Sequence, residues 1–196
     1  MPVKIAIFCS GSGSNAQKII EYFQEHKSAE VVLLLSNKKD AYALERAKML
    51  GVPTRVFNRA EFTQSSVIVD ELKALGVSWI ILAGFLWLVP ENLIEAYPDS
   101  IVNIHPALLP SYGGKGMYGM NVHEAVVRAK EKESGISIHM VNKEYDKGTI
   151  VFQARCLVTD DDTPETLAKK VQALEHEHFP KVIDALICSK TYNPIS

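Results

Sequence analysis

The sequence predicts an α/β fold: a doubly wound, mostly parallel sheet of about seven strands, with an antiparallel pair near its C-terminal half and a long C-terminal helix. Three observations predict it. Apolar runs of strand length alternate with longer segments of helical period through the first half of the chain. Two strand-like runs then follow one another with no helix between them. A long helical segment ends the pattern.

Val3 to Cys9 is an apolar run broken only by Lys4, the composition of a strand buried on both faces. A helix follows from about Asn15 to His26, with Ile19, Ile20 and Phe23 at helical spacing. Val31 to Leu35 is a second strand, Ala41 to Leu50 a second helix closed by Gly51 and Pro53, and Thr54 to Phe57 a short third strand. Glu61 to Leu75 reads as one helix ending at Gly76. Strands at Trp79 to Ala83 and Ser100 to Ile104 flank a short helix at Glu91 to Ala96. This rhythm is Rossmann-like. A glycine-rich stretch from Pro110 to Gly119 then precedes a helix from Met120 to Lys130. Ile136 to Val141 and Ile150 to Val158 form the antiparallel pair. The last helix spans Thr163 to Ile187, with Pro164 in its first turn, a Thr or Asp cap before it, and Pro180 expected to kink or split it.

With 196 residues, the expectation is a single domain over 1–196. Apolar residues at 47% and charged residues at 22% sit near the globular average, which excludes a disordered, collagen-like or coiled-coil chain. A formal charge of −2 gives no field of the kind a nucleic-acid or membrane binder carries. Cys9, Cys156 and Cys188 are too scattered for a disulfide framework and read as reduced thiols of a cytoplasmic protein. Met1-Pro2-Val3-Lys4-Ile5 lacks the apolar stretch of a signal peptide, and the longest apolar run falls short of a membrane span.

Three segments carry chemistry. Ser10-Gly11-Ser12-Gly13-Ser14-Asn15 joins the first strand to the first helix. Such a loop lets backbone N–H groups at a helix N-terminus cradle a phosphate, or it is simply a tight turn with Ser14 or Asn15 as N-cap. It is not a Walker A loop, and no acidic residue ends the second strand as a dinucleotide fingerprint requires. Asn103 and His105 stand two apart at the carboxyl end of a buried strand, on one face, where ligands of open α/β sheets bind. Together they suit hydrogen bonding to a developing oxyanion, or they are a satisfied buried histidine beside a loop-starting asparagine. Asp146, in the Asp-Lys-Gly turn before the last strand, is an ordinary turn residue unless it meets His105, whose cation it would favour. Ser137 and His139 share a face by the same spacing.

Taken together, these segments resemble the formyltransferase superfamily, and within it the glycinamide ribonucleotide formyltransferases of de novo purine synthesis. The resemblance runs from Ile5 to about Pro180. Its landmarks are the 10–15 loop, Ala83-Gly84-Phe85, Asn103-Ile104-His105-Pro106-Ala107-Leu108-Leu109-Pro110, Gly135-Ile136-Ser137-Ile138-His139, Tyr145-Asp146-Lys147-Gly148 and Glu175-His176-Glu177-His178-Phe179-Pro180. It implies formyl transfer from 10-formyltetrahydrofolate to the amine of 5-phosphoribosylglycinamide, with Asn103, His105 and Asp146 as the catalytic trio. By the same resemblance Gly13, Ser14 and Asn15 bind the phosphate and Glu175 the ribose hydroxyls. Phe85, Leu86, Trp87 and Leu88, with Asn142, Lys143, Glu144 and Tyr145, would hold the folate.

The pattern departs from the bacterial members in two places: they often carry Arg where Trp87 stands, and a basic residue near Ser65. The glycine-rich loop at 111–119 also looks longer than in many members and suggests a mobile lid. The added tRNA-binding or regulatory domain that some relatives carry is not expected in these 196 residues. A formyltetrahydrofolate hydrolase-like enzyme and a non-catalytic nucleotide-binding module are the alternatives, and a homodimer is left open. No metal is expected, because His176 and His178 point to different helix faces and His105 with His139 lacks a third ligand.

Overall fold

The computed structural model describes residues 1–191. Seven strands form one sheet: β1 (Val3–Cys9), β2 (Ala29–Ser36), β3 (Thr54–Val56), β4 (Trp79–Leu82), β5 (Ile101–His105), β6 (Glu133–Met140) and β7 (Ile150–Leu157). Seven helices complete it among the described residues: α1 (Ser14–His26), α2 (Tyr42–Met49), α3 (Arg59–Thr63), α4 (Val67–Ala74), α5 (Glu91–Ala96), α6 (Met120–Arg128) and α7 (Pro164–Thr191).

The strand order is β3-β2-β1-β4-β5-β6-β7. β1 to β5 run parallel, while β6 is antiparallel to both β5 and β7. The chain therefore winds outward from β1 to β3, returns to lay β4 on the other side of β1, and winds outward again. The loops leaving β1 and β4 diverge at that reversal, and a crevice opens between them.

Alternation along β1 explains the two cores. Ile5, Ile7 and Cys9 face one side, where α1, α2, α6 and α7 pack; Ala6 and Phe8 face the other, covered by α3, α4 and α5. The sheet is thus buried on both faces, as the apolar run of β1 predicts. Cys9 belongs to this core: burial pushes its thiol above the ordinary range, and Sγ donates to the Ala83 carbonyl at 3.0 Å.

Two expectations need correction. The helix expected over 61–75 is two, α3 and α4. Asn58 and Glu61 form a capping box, each side chain bonded to the other's backbone N–H at 3.0 and 2.8 Å, which starts α3 earlier. It ends early because Thr63 and Ser65 turn their hydroxyls back onto the carbonyls of Arg59 and Glu61. The last helix, in contrast, runs unbroken through Pro180. Phe179, Ile183 and Ile187, all buried in the core under α7, hold both sides of the missing hydrogen bond against the sheet. Its start is as expected, with Thr163 Oγ1 accepting from Thr166 N at 3.3 Å.

β6 and β7 approach closely at Gly135, where an added Cβ would lie 1.9 Å from the Ala154 carbonyl oxygen. That neighbour is main chain and cannot step aside cheaply. Gly135→Ala is therefore expected to lower stability by about 1–3 kcal/mol, read as a lower urea midpoint at unchanged slope. An unmoved midpoint would show that the strands tolerate a side chain there.

Candidate active site

The crevice at the sheet's reversal is a cleft of about 710 Å³. Its floor is the ends of β1, β4 and β5, and its walls are the 10–15 loop, residues 82–89, the 114–120 segment, the turn around Asp146, and α7 near Glu175.

The glycine loop is built by local backbone demands. Gly13, not Ser14 or Asn15, is the N-cap of α1; it has φ +74°, and no side chain caps the helix. The first intrahelical bond is Gln17 N to Gly13 O, so the N–H groups of the first turn remain open toward an anion. A Cβ on Gly13 would fall 2.5 Å from Ala43 Cβ, whereas one on Gly11 would meet nothing within 4 Å. Gly13 is thus demanded by the packing of α2 and by its left-handed backbone, while Gly11 borders open space in the cleft. Ser10 ties this loop to its neighbours: Oγ donates to Asn37 Oδ1 at 2.7 Å and accepts from Leu86 N at 3.1 Å.

α7 crosses the other side of the loop. Asn15 Nδ2 donates to Glu175 Oε2 at 2.9 Å, and Gln172 Nε2 to Ser14 Oγ at 3.1 Å. Burial raises the Glu175 carboxyl above its ordinary pKa, with Asn15 opposing. Asn15 Oδ1 is buried with no partner.

The antiparallel register of β5 and β6 sets Asn103 opposite His139 and His105 opposite Ser137. Asn103 Nδ2 and His139 Nε2 are 3.0 Å apart, and His139 Nδ1 lies 3.0 Å from the Met140 carbonyl. A carbonyl only accepts, so in the neutral ring Nδ1 carries the proton and Nε2 accepts from Asn103. One N–H of Asn103 is thereby used, and the second is left for a ligand. Ser137 is structural, its Oγ donating to Ala107 O at 2.7 Å and accepting from Leu109 N at 2.9 Å.

Asp146 sits between two imidazoles. Oδ2 is 3.6 Å from His105 Nδ1, Oδ1 is 3.5 Å from His139 Nε2, and Gly114 N donates to Oδ2 at 2.9 Å. Burial works against the charged carboxylate, but the His139 and His105 rings when protonated, together with the Gly114 N–H, outweigh it and hold the pKa below the usual value. For His105 the balance falls the other way. Burial pushes the imidazole below its ordinary pKa, against Asp146 and the Tyr112 carbonyl, both of which favour the cation. Asp146 does meet His105 and favours its cation, as the sequence suggests, but at 4% exposure desolvation exceeds that attraction and the ring is not held charged by it. His105 Nε2 lies 2.7 Å from the Tyr112 carbonyl and so carries the proton of the neutral ring.

The turn that carries Asp146 is tightly specified. Asp146 itself has φ +53°, and a Cβ on Gly148 would lie 1.6 Å from Met140 O. Asn142 closes the turn, Oδ1 accepting from Glu144 N at 2.9 Å and Nδ2 donating to Lys147 O at 3.1 Å.

Among the residues expected to hold the folate, Phe85, Leu86, Trp87, Leu88, Asn142, Glu144 and Tyr145 line the cleft. Lys143 does not: its ammonium is paired with Glu91 of α5. No arginine occupies the position of Trp87, but the Arg59 guanidinium lies 4.9 Å from the centre of its ring.

Three contributions escaped sequence reasoning. The Tyr112 carbonyl and the Gly114 N–H are main-chain groups, which no residue-type pattern announces. His123 of α6 lines the cleft at 5% exposure with Nδ1 unpartnered, and burial together with His105 depresses its pKa. Only its helical position, facing inward beside Val122 and Val126, could have flagged it. Among the described residues, no group of three or more His, Cys, Asp or Glu is placed to hold a metal, and no helix is long and apolar enough to cross a membrane.

The geometry sets the expected titration. His105 should titrate below about 6.5, the value of a free imidazole, when followed by NMR. Asp146→Asn removes the neighbouring negative charge, so the midpoint should drop further. A midpoint above the free value, or one unmoved by Asp146→Asn, would contradict this balance.

The comparisons with known proteins agree with the geometry. The formyl transferase family model matches residues 3–183. The chain is 46% identical over 189 residues to the chloroplastic phosphoribosylglycinamide formyltransferase of Arabidopsis thaliana, covering 93% of this chain and 65% of that relative's length. It is 35% identical to the phosphoribosylglycinamide formyltransferase of Bacillus subtilis, covering 94% of each. The crystal structure of glycinamide ribonucleotide transformylase 1 from Symbiobacterium toebii superposes with a TM-score of 0.88 at 31% identity, covering 96% of this chain and 89% of that one. The matched span takes in the glycine loop, the strand bearing Asn103 and His105, and the Asp146 turn, and the chain belongs to the formyl transferase family.

Proposed function

We propose that this chain transfers a formyl group from 10-formyltetrahydrofolate to the amine of 5-phosphoribosylglycinamide, giving tetrahydrofolate and formylglycinamide ribonucleotide. The observation that carries the reading is the cluster of buried His105 and His139 with half-buried Asn103 and Asp146, opening into the same cleft as the N-terminal end of α1. The chain acts as one catalytic domain in the cytoplasm.

In this reading the phosphate rests on the turn of Gly13, Ser14 and Asn15 at the N-terminus of α1, and Glu175 accepts from the ribose hydroxyls. The folate lies along Phe85 to Leu88 and the 142–145 turn. The substrate amine attacks the formyl carbon, so no nucleophilic side chain is needed and the buried Cys9 plays no part. The carbonyl electrons move onto oxygen, where the second N–H of Asn103 meets the developing charge. His105 starts neutral, takes the proton released by the attacking amine through a water ordered by Asp146, and gives it to the departing folate nitrogen. Asp146 stabilises the imidazolium during the interval when it exists. Burial makes His105 reluctant to stay charged, which suits a group that must pass its proton on.

Mixing the protein with both substrates should release tetrahydrofolate in step with the ribonucleotide product. Release without the ribonucleotide would mark a hydrolase, and no release would overturn the reading. Asn103→Ala should lower kcat by about 10²–10³-fold with a much smaller change in KM, because its donor meets charge only in the transition state. A rise in KM alone would reduce Asn103 to a binding group.

The phosphate assignment has its own test. Gly13→Val would collide with Ala43 and confuse folding with binding, but Gly11→Val projects into open cleft. It is expected to raise KM for the ribonucleotide several-fold, by about 1 kcal/mol of lost contact, and leave that for the folate unchanged. Equal effects on both substrates would move the phosphate elsewhere.

A further inference from the structure

We infer that Tyr112 and Glu131, neither of which lines the cleft, are positioning residues: their hydrogen bond clasps the 110–119 segment so that its main chain orders His105 and Asp146. The inference rests on the formyl-transfer reading for its kinetic arm only.

The clasp is remote from the chemistry in sequence and close to it in effect. Tyr112 Oη donates to Glu131 Oε1 at 2.7 Å. From the same short segment, the Tyr112 carbonyl accepts from His105 Nε2 at 2.7 Å and Gly114 N donates to Asp146 Oδ2 at 2.9 Å. One stretch of backbone thus touches both members of the pair, at the far nitrogen of the His105 ring and at the Asp146 oxygen that faces His105.

Tyr112 is held in a backbone conformation that an aromatic residue seldom adopts, φ +56°. Three contacts keep it there: the ring packed against the core, the hydroxyl on Glu131, and the carbonyl on His105. Releasing the hydroxyl lets the residue relax toward negative φ, and that relaxation rotates its carbonyl away from Nε2. Glu131 is a firm anchor, because it follows the end of α6, where its N–H is bonded to the Val126 carbonyl at 3.3 Å and Lys130 adopts φ +54°.

The groups facing His105 are few and come from four elements. They are Asp146 from the turn, His139 from β6, His123 from α6, and the Tyr112 carbonyl from the segment itself. The carbonyl favours the protonated ring, so its loss moves the His105 titration to lower pH. Loss of the Gly114 N–H moves the Asp146 titration to higher pH. The pH range in which Asp146 is ionised and His105 can hold a proton narrows from both ends.

Tyr112→Phe keeps the ring and deletes the clasp; Glu131→Ala deletes it from the other side; Glu131→Gln keeps an oxygen acceptor. Tyr112→Phe and Glu131→Ala should each lower kcat about fivefold, the effect of one ordinary hydrogen bond, with ribonucleotide KM within about twofold. The double variant should be no slower than either single one, and Glu131→Gln should restore kcat. In both disrupting variants the His105 imidazole, followed by NMR without substrate, should titrate at lower pH than in the parent protein. A fall in kcat with an unmoved titration would mark a merely structural contact and overturn the proposal, as would variants unchanged in both measurements. If the parent protein transfers no formyl group, the functional reading fails, and the titration alone decides the clasp.

Discussion

Asp146 lies between His105 and His139, 3.6 and 3.5 Å from their ring nitrogens, with both rings almost wholly and the carboxylate largely withdrawn from water. A carboxylate in that position has little solvent to stabilise it and depends on the groups around it. The surrounding architecture reads as the set of devices that make the placement tolerable. The antiparallel pairing of β5 with β6 brings His139 beside Asn103. Gly148 allows the turn to press against the end of β6, and the Gly114 N–H supplies a further donor to the carboxylate. His105 bears the cost of the same burial, which is why its pKa falls even beside a negative charge.

A second constraint acts at the other end of the cleft. Reversal of strand order between β1 and β4 leaves their following loops divergent, and those loops would be free to drift apart. They are stitched together instead. Ser10 N donates to the Gly84 carbonyl at 3.0 Å, and the Ser10 hydroxyl bridges Leu86 and Asn37. The wall expected to hold the folate and the loop expected to hold the phosphate therefore share one buried serine. Behind the wall, Phe8, Phe57, Phe62, Phe85 and Trp87 meet at ring separations of 5.1 to 6.3 Å, so the cleft surface rests on a packed aromatic cluster rather than on a free loop.

Much of this was legible in the residues. The strands were visible because a sheet buried on both faces demands continuous apolar runs, and the helices because their inward faces repeat at helical spacing. The split of the 61–75 helix was half visible: the Asn58–Glu61 capping pair is a sequence signal, but the inward-turned hydroxyls of Thr63 and Ser65 are not. Pro180 misled because helix-breaking is a local rule, and the buried side chains around it impose a tertiary one. Lys143 misled similarly, since its neighbours in sequence line the cleft while its own charge has found Glu91.

The sequence by itself determined the alternation of strands and helices, the glycine loop at the start of α1, and the identities of Asn103, His105 and Asp146. These depend on residue type and short-range spacing, which a chain carries in any conformation. Tertiary structure alone decided the protonation balance and the proton positions. Whether Asp146 wins over burial at His105, which ring nitrogen holds the proton, and that a tyrosine carbonyl and a glycine N–H complete the site all depend on distances between segments far apart in the chain. Electrostatic energies vary with separation and with exclusion of water, and both exist only once the sheet has closed around them.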